Sequence, residues 1–174
     1  MNLLQIMKNR RSVRAYTGDP IPPEKLEKIL QAGLLAPSGR NARPVEFVVV
    51  EQRELLDKLS ESRSMGAGML KDAACAVVVI ADAEKGDTWV EDCSLAMGYM
   101  LLMAEQMDVA ACWVHQRGRT TAQGGEAGAY VKALLGVPSR YEVEAILSLG
   151  IPAQKPEPRA WNETETHKIH RERF

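Results

Sequence analysis

A chain of 174 residues that is 45% hydrophobic carries enough apolar material for one domain with a real core, so a single unit spanning 1–174 is expected. Its formal charge of −1 excludes the broad positive field needed to grip nucleic acid or an anionic membrane, which leaves any basic patch local and suited to a small anion. Cys75, Cys93 and Cys112 are odd in number, lie in apolar stretches and lack metal-ligand spacing; with an N-terminus that turns charged at Lys8, Arg10 and Arg11, they predict reduced thiols and a cytoplasmic location.

In chain order, Leu3, Leu4 and Met7 suit a short amphipathic helix with Asn2 as its cap. Arg10-Arg11-Ser12-Val13-Arg14 follows as an extended exit. Side chains alternate along extended backbone, so Arg10, Ser12 and Arg14 share one side while Arg11 points the other way. Two guanidinium forks around a hydroxyl match phosphate oxygens, although a basic run read alone is more often solvated surface. Pro20, Pro22 and Pro23 introduce a second helix, with Leu26, Ile29, Leu30 and Leu34 at helical spacing and a stop before Pro37. The polar stretch 36–44, which holds Pro37, Ser38, Gly39 and Asn41, reads on composition as a simple helix-to-strand turn. A strand over 45–50, a helix over about 53–61, a break at Gly66 and Gly68, and a strand over 75–80 come next.

The segment 88–107 has the strongest helical pattern, apolar nearly all round in its second half. Such a helix must be buried on most sides, either at the centre of the domain or against a second subunit. Glu91, Asp92 and Glu105 bound a run well short of the roughly 20 apolar residues a bilayer needs. Its methionines read as core fillers. A strand over 109–115, a mobile loop over 117–128 with four glycines, a helix over 129–135 ended by Gly136, and a strand over 143–149 complete the pattern. From Gln154 the chain is polar, contains Pro156 and Pro158, and has little to bury. Strands separated by helices, without a Gly-rich dinucleotide fingerprint, predict an α/β sandwich. Cys112 and His115 sit three apart on a strand and face opposite sides, so they make a poor nucleophilic pair; His167 and His170 lack companion ligands, so no metal is expected.

Arg10, Ser12 and Arg14, then Pro37, Ser38, Asn41 and Pro44, then Gly150, Pro152 and Arg159, in that order over essentially the whole chain, resemble the FMN-dependent nitroreductase family. The resemblance implies an α+β fold with a central, mostly antiparallel mixed sheet flanked by helices. It also implies an obligate homodimer in which the extension 154–174 embraces the partner, with Trp161, Ile169 and Phe174 as anchors. Noncovalent FMN at the subunit interface would take hydride from NADH or NADPH and reduce small acceptors such as nitroaromatics or quinones by ping-pong turnover. The flavin would carry that chemistry, with no catalytic side chain.

On the same resemblance, Arg10, Ser12 and Arg159 hold the phosphate and Arg14 lies nearer the pyrimidine edge, with the roles of Arg11 and Lys155 open. Pro37, Ser38, Gly39 and Asn41 would approach from the partner chain, and Trp113 and His115 would border the ring chiefly through main-chain groups. Three departures bear on ring contacts: Arg43 stands where Gln is usual, Val45 where an aromatic is usual, and the region 65–68 lacks the Asn and Lys of some members. Two readings outside this enzyme class are a flavin-binding sensor and a cofactor-free dimeric interaction protein.

Overall fold

Alternation along four strands sets the layering. The computed structural model describes residues 2–174, and its sheet contains β1 (Val45–Val50), β2 (Cys75–Asp82), β3 (Ala110–His115) and β4 (Tyr141–Gly150) in the order β1-β2-β4-β3, every pair antiparallel. The helices are α1 (Leu3–Asn9), α2 (Pro23–Leu34), α3 (Arg53–Leu59), α4 (Trp89–Gln106) and α5 (Ala127–Leu135). On one face Cys75, Val77, Val79 and Ala81 of β2 pack with Met97 and Met100 of α4 and Ile29 of α2. On the other, Ala76, Val78 and Ile80 pack with Leu56 and Leu59 of α3 and Val131 of α5. Period-two side chains feeding two helical layers produce this sandwich, and burial of each large aliphatic contributes about 1.5–3 kcal/mol. Among the described residues no helix is long and apolar enough to cross a membrane.

The sheet contains one interruption. Val79 pairs with Ala145 and Ile80 with Val143, so Glu144 is an extra residue on β4. The layers record the shift: Val143 belongs to the core under α3 and α5, whereas Ala145, Leu147 and Leu149 belong to the core under α4. A bulge of this kind turns a side chain from one face to the other.

Three segments differ from expectation. Helix α4 buries Cys93, Ala96, Met97, Met100 and Ala104 but leaves Leu95 and Tyr99 exposed, because its second apolar face is uncovered within one chain. Tyr99, Leu102 and Met103 of α4 and the exposed Leu3, Met7 and Leu35 border an apolar groove of about 510 Å³. The glycine-rich stretch after β3, expected as a mobile loop, is a bonded turn: the Thr121 amide donates to the Gly125 carbonyl (2.8 Å), the Ala127 amide donates to the Arg119 carbonyl (2.8 Å), and α5 starts at Ala127. Composition concealed these short-range backbone bonds. The C-terminal residues 154–174 are exposed throughout, including Trp161, Ile169 and Phe174.

Candidate functional site

The basic segment after α1 lies on the sheet margin. Asn2 caps α1 by accepting from the Gln5 amide at 2.9 Å, and the helix ends at Arg10, whose backbone has turned extended. Ser12 then bridges Ala111 in parallel, the Val13 amide donates to the Ala111 carbonyl (3.1 Å), and the Thr17 amide donates to the Ile151 carbonyl (3.0 Å). Val13 is buried while Ser12 and Arg14 face solvent, as alternation requires, and Tyr16 is buried as well, out of that alternation. Tyr16 clamps the segment: its hydroxyl donates to the Val13 carbonyl (3.0 Å) and lies 2.9 Å from Ser148 Oγ. Its ring packs on Gly150, where a Cβ would sit 2.6 Å from the ring, so close approach requires glycine there. Burial raises the Tyr16 hydroxyl well above the usual tyrosine range, which keeps it a neutral donor.

Arg10, Arg14 and Arg159 gather at the start of β3. Burial, and next the neighbouring Arg159 guanidinium, pull the Arg10 pKa down against the opposing pull of Glu105. Arg10 and Arg14 both act on Cys112, whose thiol is nonetheless pushed up by burial. The return of the chain brings Arg159 here: its amide donates to the Lys8 carbonyl (3.3 Å), and Lys8 Nζ stands 5.4 Å from the centre of the Trp161 ring. Arg11 points away, as expected, and donates to the Glu157 carbonyl at 2.6 Å, while Lys155 pairs with Asp108 at 2.6 Å. Among the described residues none of Arg10, Arg14 and Arg159 has a carboxylate ion pair within 4 Å.

Pro37, Ser38, Gly39 and Asn41 lie elsewhere. They lead into β1, whose Val45 registers through Ala81 with Glu142, whereas Ala111 registers with Leu149. That separation is roughly 23 Å along the strands and about 14 Å across them. The two groups therefore do not meet in one chain. The loop is held by two of its own side chains and one from α4: Ser38 Oγ accepts from the Arg43 amide (2.9 Å), Asn41 Oδ1 from Arg43 Nε (3.0 Å), and buried Asp92 of α4 from the Gly39 amide (2.9 Å). Arg40, Asn41 and Arg43 all have positive φ, at 50°, 57° and 48°, a conformation that L residues adopt at a cost. Any Cβ at Gly39 would collide with Thr88. Pro37 and Ser38 border a cavity of about 260 Å³ with Phe47 and Asp92.

At the far end of β3, Trp113 and His115 lie on one face with ring centroids 6.3 Å apart. Here the structure supplies residues that sequence reasoning missed. The bulge turns Glu144 toward His115 and Arg117: its carboxylate is 3.5 Å from His115 Nδ1 and accepts from Arg117 Nε at 2.9 Å, although its side chain is only 3% exposed. Burial, with Arg119, Arg117 and Arg63 reinforcing it, holds the His115 pKa below its usual value against the opposing pull of Glu144. Gln116 is fully buried; its Nε2 donates to Ser62 Oγ (3.2 Å), and its Oε1 has no protein partner. One signal was available, since a lone Glu within an apolar strand is almost never buried without a partner. Among the described residues no group of three or more His, Cys, Asp and Glu is placed to hold a metal ion.

Comparison with known proteins follows the same architecture. The profile of the Nitroreductase family matches residues 7–67 and 62–151. The solved FMN-dependent nitroreductase of Clostridium difficile R20291 is similar at 40% identity and a TM-score of 0.95, over 98% of this chain and 99% of that one. The Archaeoglobus fulgidus protein named "Putative NADH dehydrogenase/NAD(P)H nitroreductase" is 37% identical over 98% of both chains. A nitroreductase-like protein of Desulfovibrio desulfuricans, solved in complex with FMN, aligns at 27% identity and a TM-score of 0.75 over 100% of this chain and 98% of that one.

Proposed function

This chain belongs to the nitroreductase family, and on that premise we propose that it is an NAD(P)H-dependent oxidoreductase that binds FMN noncovalently and reduces nitroaromatic, quinone or similar electrophilic acceptors by ping-pong turnover. One observation carries the reading: Arg10, Arg14 and Arg159, from opposite ends of the chain, converge near the start of β3, where Ser12 bridges Ala111, and among the described residues none of them is ion-paired to a carboxylate. Cations left without a direct ion pair, with Arg10 already partly desolvated, suit a phosphate, with charge-assisted bonds about twice as strong as neutral ones.

Bound FMN would supply hydride and electron transfer. The chain's own residues then have simpler tasks. Arg10, Ser12 and Arg159 hold the phosphate, and Arg14 adds positive charge one step along the same side. Trp113 and His115 border the ring, His115 mainly neutral at pH 7 because its pKa is lowered. Ser38 and Asn41 lie too far from the arginines to serve the same site in one chain, so Pro37, Ser38, Gly39 and Asn41 would come from a second copy. The exposed apolar groove along α1, α2 and α4 supports such a homodimer, with 154–174 as an arm on the partner. Buried thiols, Cys75 and Cys93 raised to about 12 by burial, fit a reducing, cytoplasmic setting.

The visible spectrum of the purified protein, alone, with added FMN and then with NADH or NADPH under argon, tests this reading. Flavin bands that bleach with the nucleotide are expected, together with parallel double-reciprocal lines when the acceptor is varied. Bands that fail to bleach would favour a flavin sensor. No flavin uptake would leave the arginine cluster to another anion.

A further inference from the structure

A single mononucleotide carries one phosphate, yet β3 has a basic cluster at each end. The second cluster comes from three separated segments. Gln116 Nε2 holds Ser62, the residue before Arg63, at 3.2 Å, and the Ser64 amide donates to the Thr120 carbonyl, next to Arg119, at 2.9 Å. These two bonds seat Arg63 and Arg119 side by side beyond the end of β3. Each repels the charge of the other. Arg117 and His115 share the one carboxylate that, among the described residues, ion-pairs with this group, the buried Glu144. Three guanidinium groups with one ion-paired carboxylate leave two positive charges without an ion pair. Arg63 is half-buried against the Gly66 turn, so its guanidinium is already partly desolvated and ordered. The first cluster lies near Ala111, four residues back along the strand, roughly 13 Å away.

We propose that Arg63 and Arg119, backed by the Glu144-bound Arg117, form a second oxyanion site that receives a negatively charged group of the second substrate. The inference rests on the reading of the chain as a two-substrate reductase. Two sources share the chemistry: the phosphates of the nicotinamide dinucleotide donor and the carboxylate of an acidic aromatic acceptor. A pyrophosphate, with two negative charges, balances the two positive charges without an ion pair. The remaining positive charges stay partly exposed, so binding weakens with salt.

Arg63→Gln/Arg119→Gln and the single Arg119→Gln, purified with whatever flavin they carry, are compared with the parent chain by calorimetric titration. The probes are NADP+ and the matched pair 4-nitrobenzoate and 4-nitrobenzamide. The double variant is expected to lose about tenfold in affinity for an anionic probe, with 4-nitrobenzamide binding, flavin content and thermal midpoint unchanged. Loss for NADP+ assigns the site to the donor; loss for 4-nitrobenzoate alone assigns it to the acceptor. Should the Arg63 substitution prevent folding, Arg119→Gln decides through a several-fold loss, with Arg119→Lys restoring part of it. Unchanged affinity for both anions, equal loss for the neutral amide, or loss of flavin in place of substrate would each overturn the proposal. A parent chain that takes up no flavin would defeat the reductase reading, while the same titrations would still decide whether the oxyanion site exists.

Discussion

The two ends of β3 are both basic, yet they are built in opposite ways. At the start, Arg10, Ser12 and Arg14 are neighbours in sequence, spaced by alternation and pinned to the sheet by Tyr16 over Gly150. At the far end, Arg63, Arg117, Arg119, His115 and Glu144 come from three segments, joined by a bulge and two cross-loop hydrogen bonds. The first cluster feels Glu105 but among the described residues holds no carboxylate ion pair within 4 Å, whereas the second is organised around a buried carboxylate. A basic patch with no ion-paired counter-charge suits tight capture of one anion. One organised around Glu144 has its geometry set in advance and keeps only part of its charge for a ligand.

The largest effect that would break this comparison is expected from Arg10→Gln combined with Arg159→Gln. Removing two charge-assisted contacts should raise the FMN dissociation constant by about a hundredfold or more, read by fluorescence titration of the apoprotein. A change below threefold would make the first cluster ordinary solvated surface. Next in size, Gly150→Ala drives a methyl into the Tyr16 ring and should cost about 2 kcal/mol of stability, read from urea unfolding. FMN affinity should fall with it, because Tyr16 holds the basic segment on the sheet; a full loss of stability with intact affinity would separate the clamp from the site.

The smallest effect sharpens the contrast through pH. His115 has a folded pKa below its unfolded value near 6.5, so the unfolded chain binds the extra proton first. The stability that neutral His115 contributes is present above about pH 6.5 and is lost as pH falls through the lowered folded value. Urea midpoints at pH 7.5 and 5.5 should therefore fall further in the parent than in His115→Gln. Equal falls would show that the histidine is not coupled to the cluster. The arginines of the first cluster do not titrate in this range, so its contribution to stability should stay flat.

Much of the fold was legible because it rests on short-range periodicity. The strand over 45–50 matches β1 residue for residue, and the ends of α4 and β3 fall within one residue of expectation. Gly136 ends α5 in a left-handed conformation, as a glycine just past a helix should. The start of α5 and the bonded turn before it were less visible, since glycine content signals freedom and says nothing about which carbonyls a turn will satisfy. The cations of the first cluster could be picked out as candidates because strand alternation puts Arg10, Ser12 and Arg14 on one side without any knowledge of the fold. Its third arginine, Arg159, entered only through the family pattern.

By itself, the sequence determined the element types, the two helical layers implied by strand alternation, and one side of a basic segment. Each of these depends on backbone periods of 2 and 3.6 residues, which neighbours in the chain carry locally. Tertiary structure alone decided that Glu144 bulges out of register toward His115, that Arg63 and Arg119 stand together, and that the loop containing Ser38 and Asn41 sits a sheet diagonal away from Arg10. Those placements depend on register and on the Ser62–Gln116 and Ser64–Thr120 hydrogen bonds, which join residues far apart in the chain, and a local period contains no information about either.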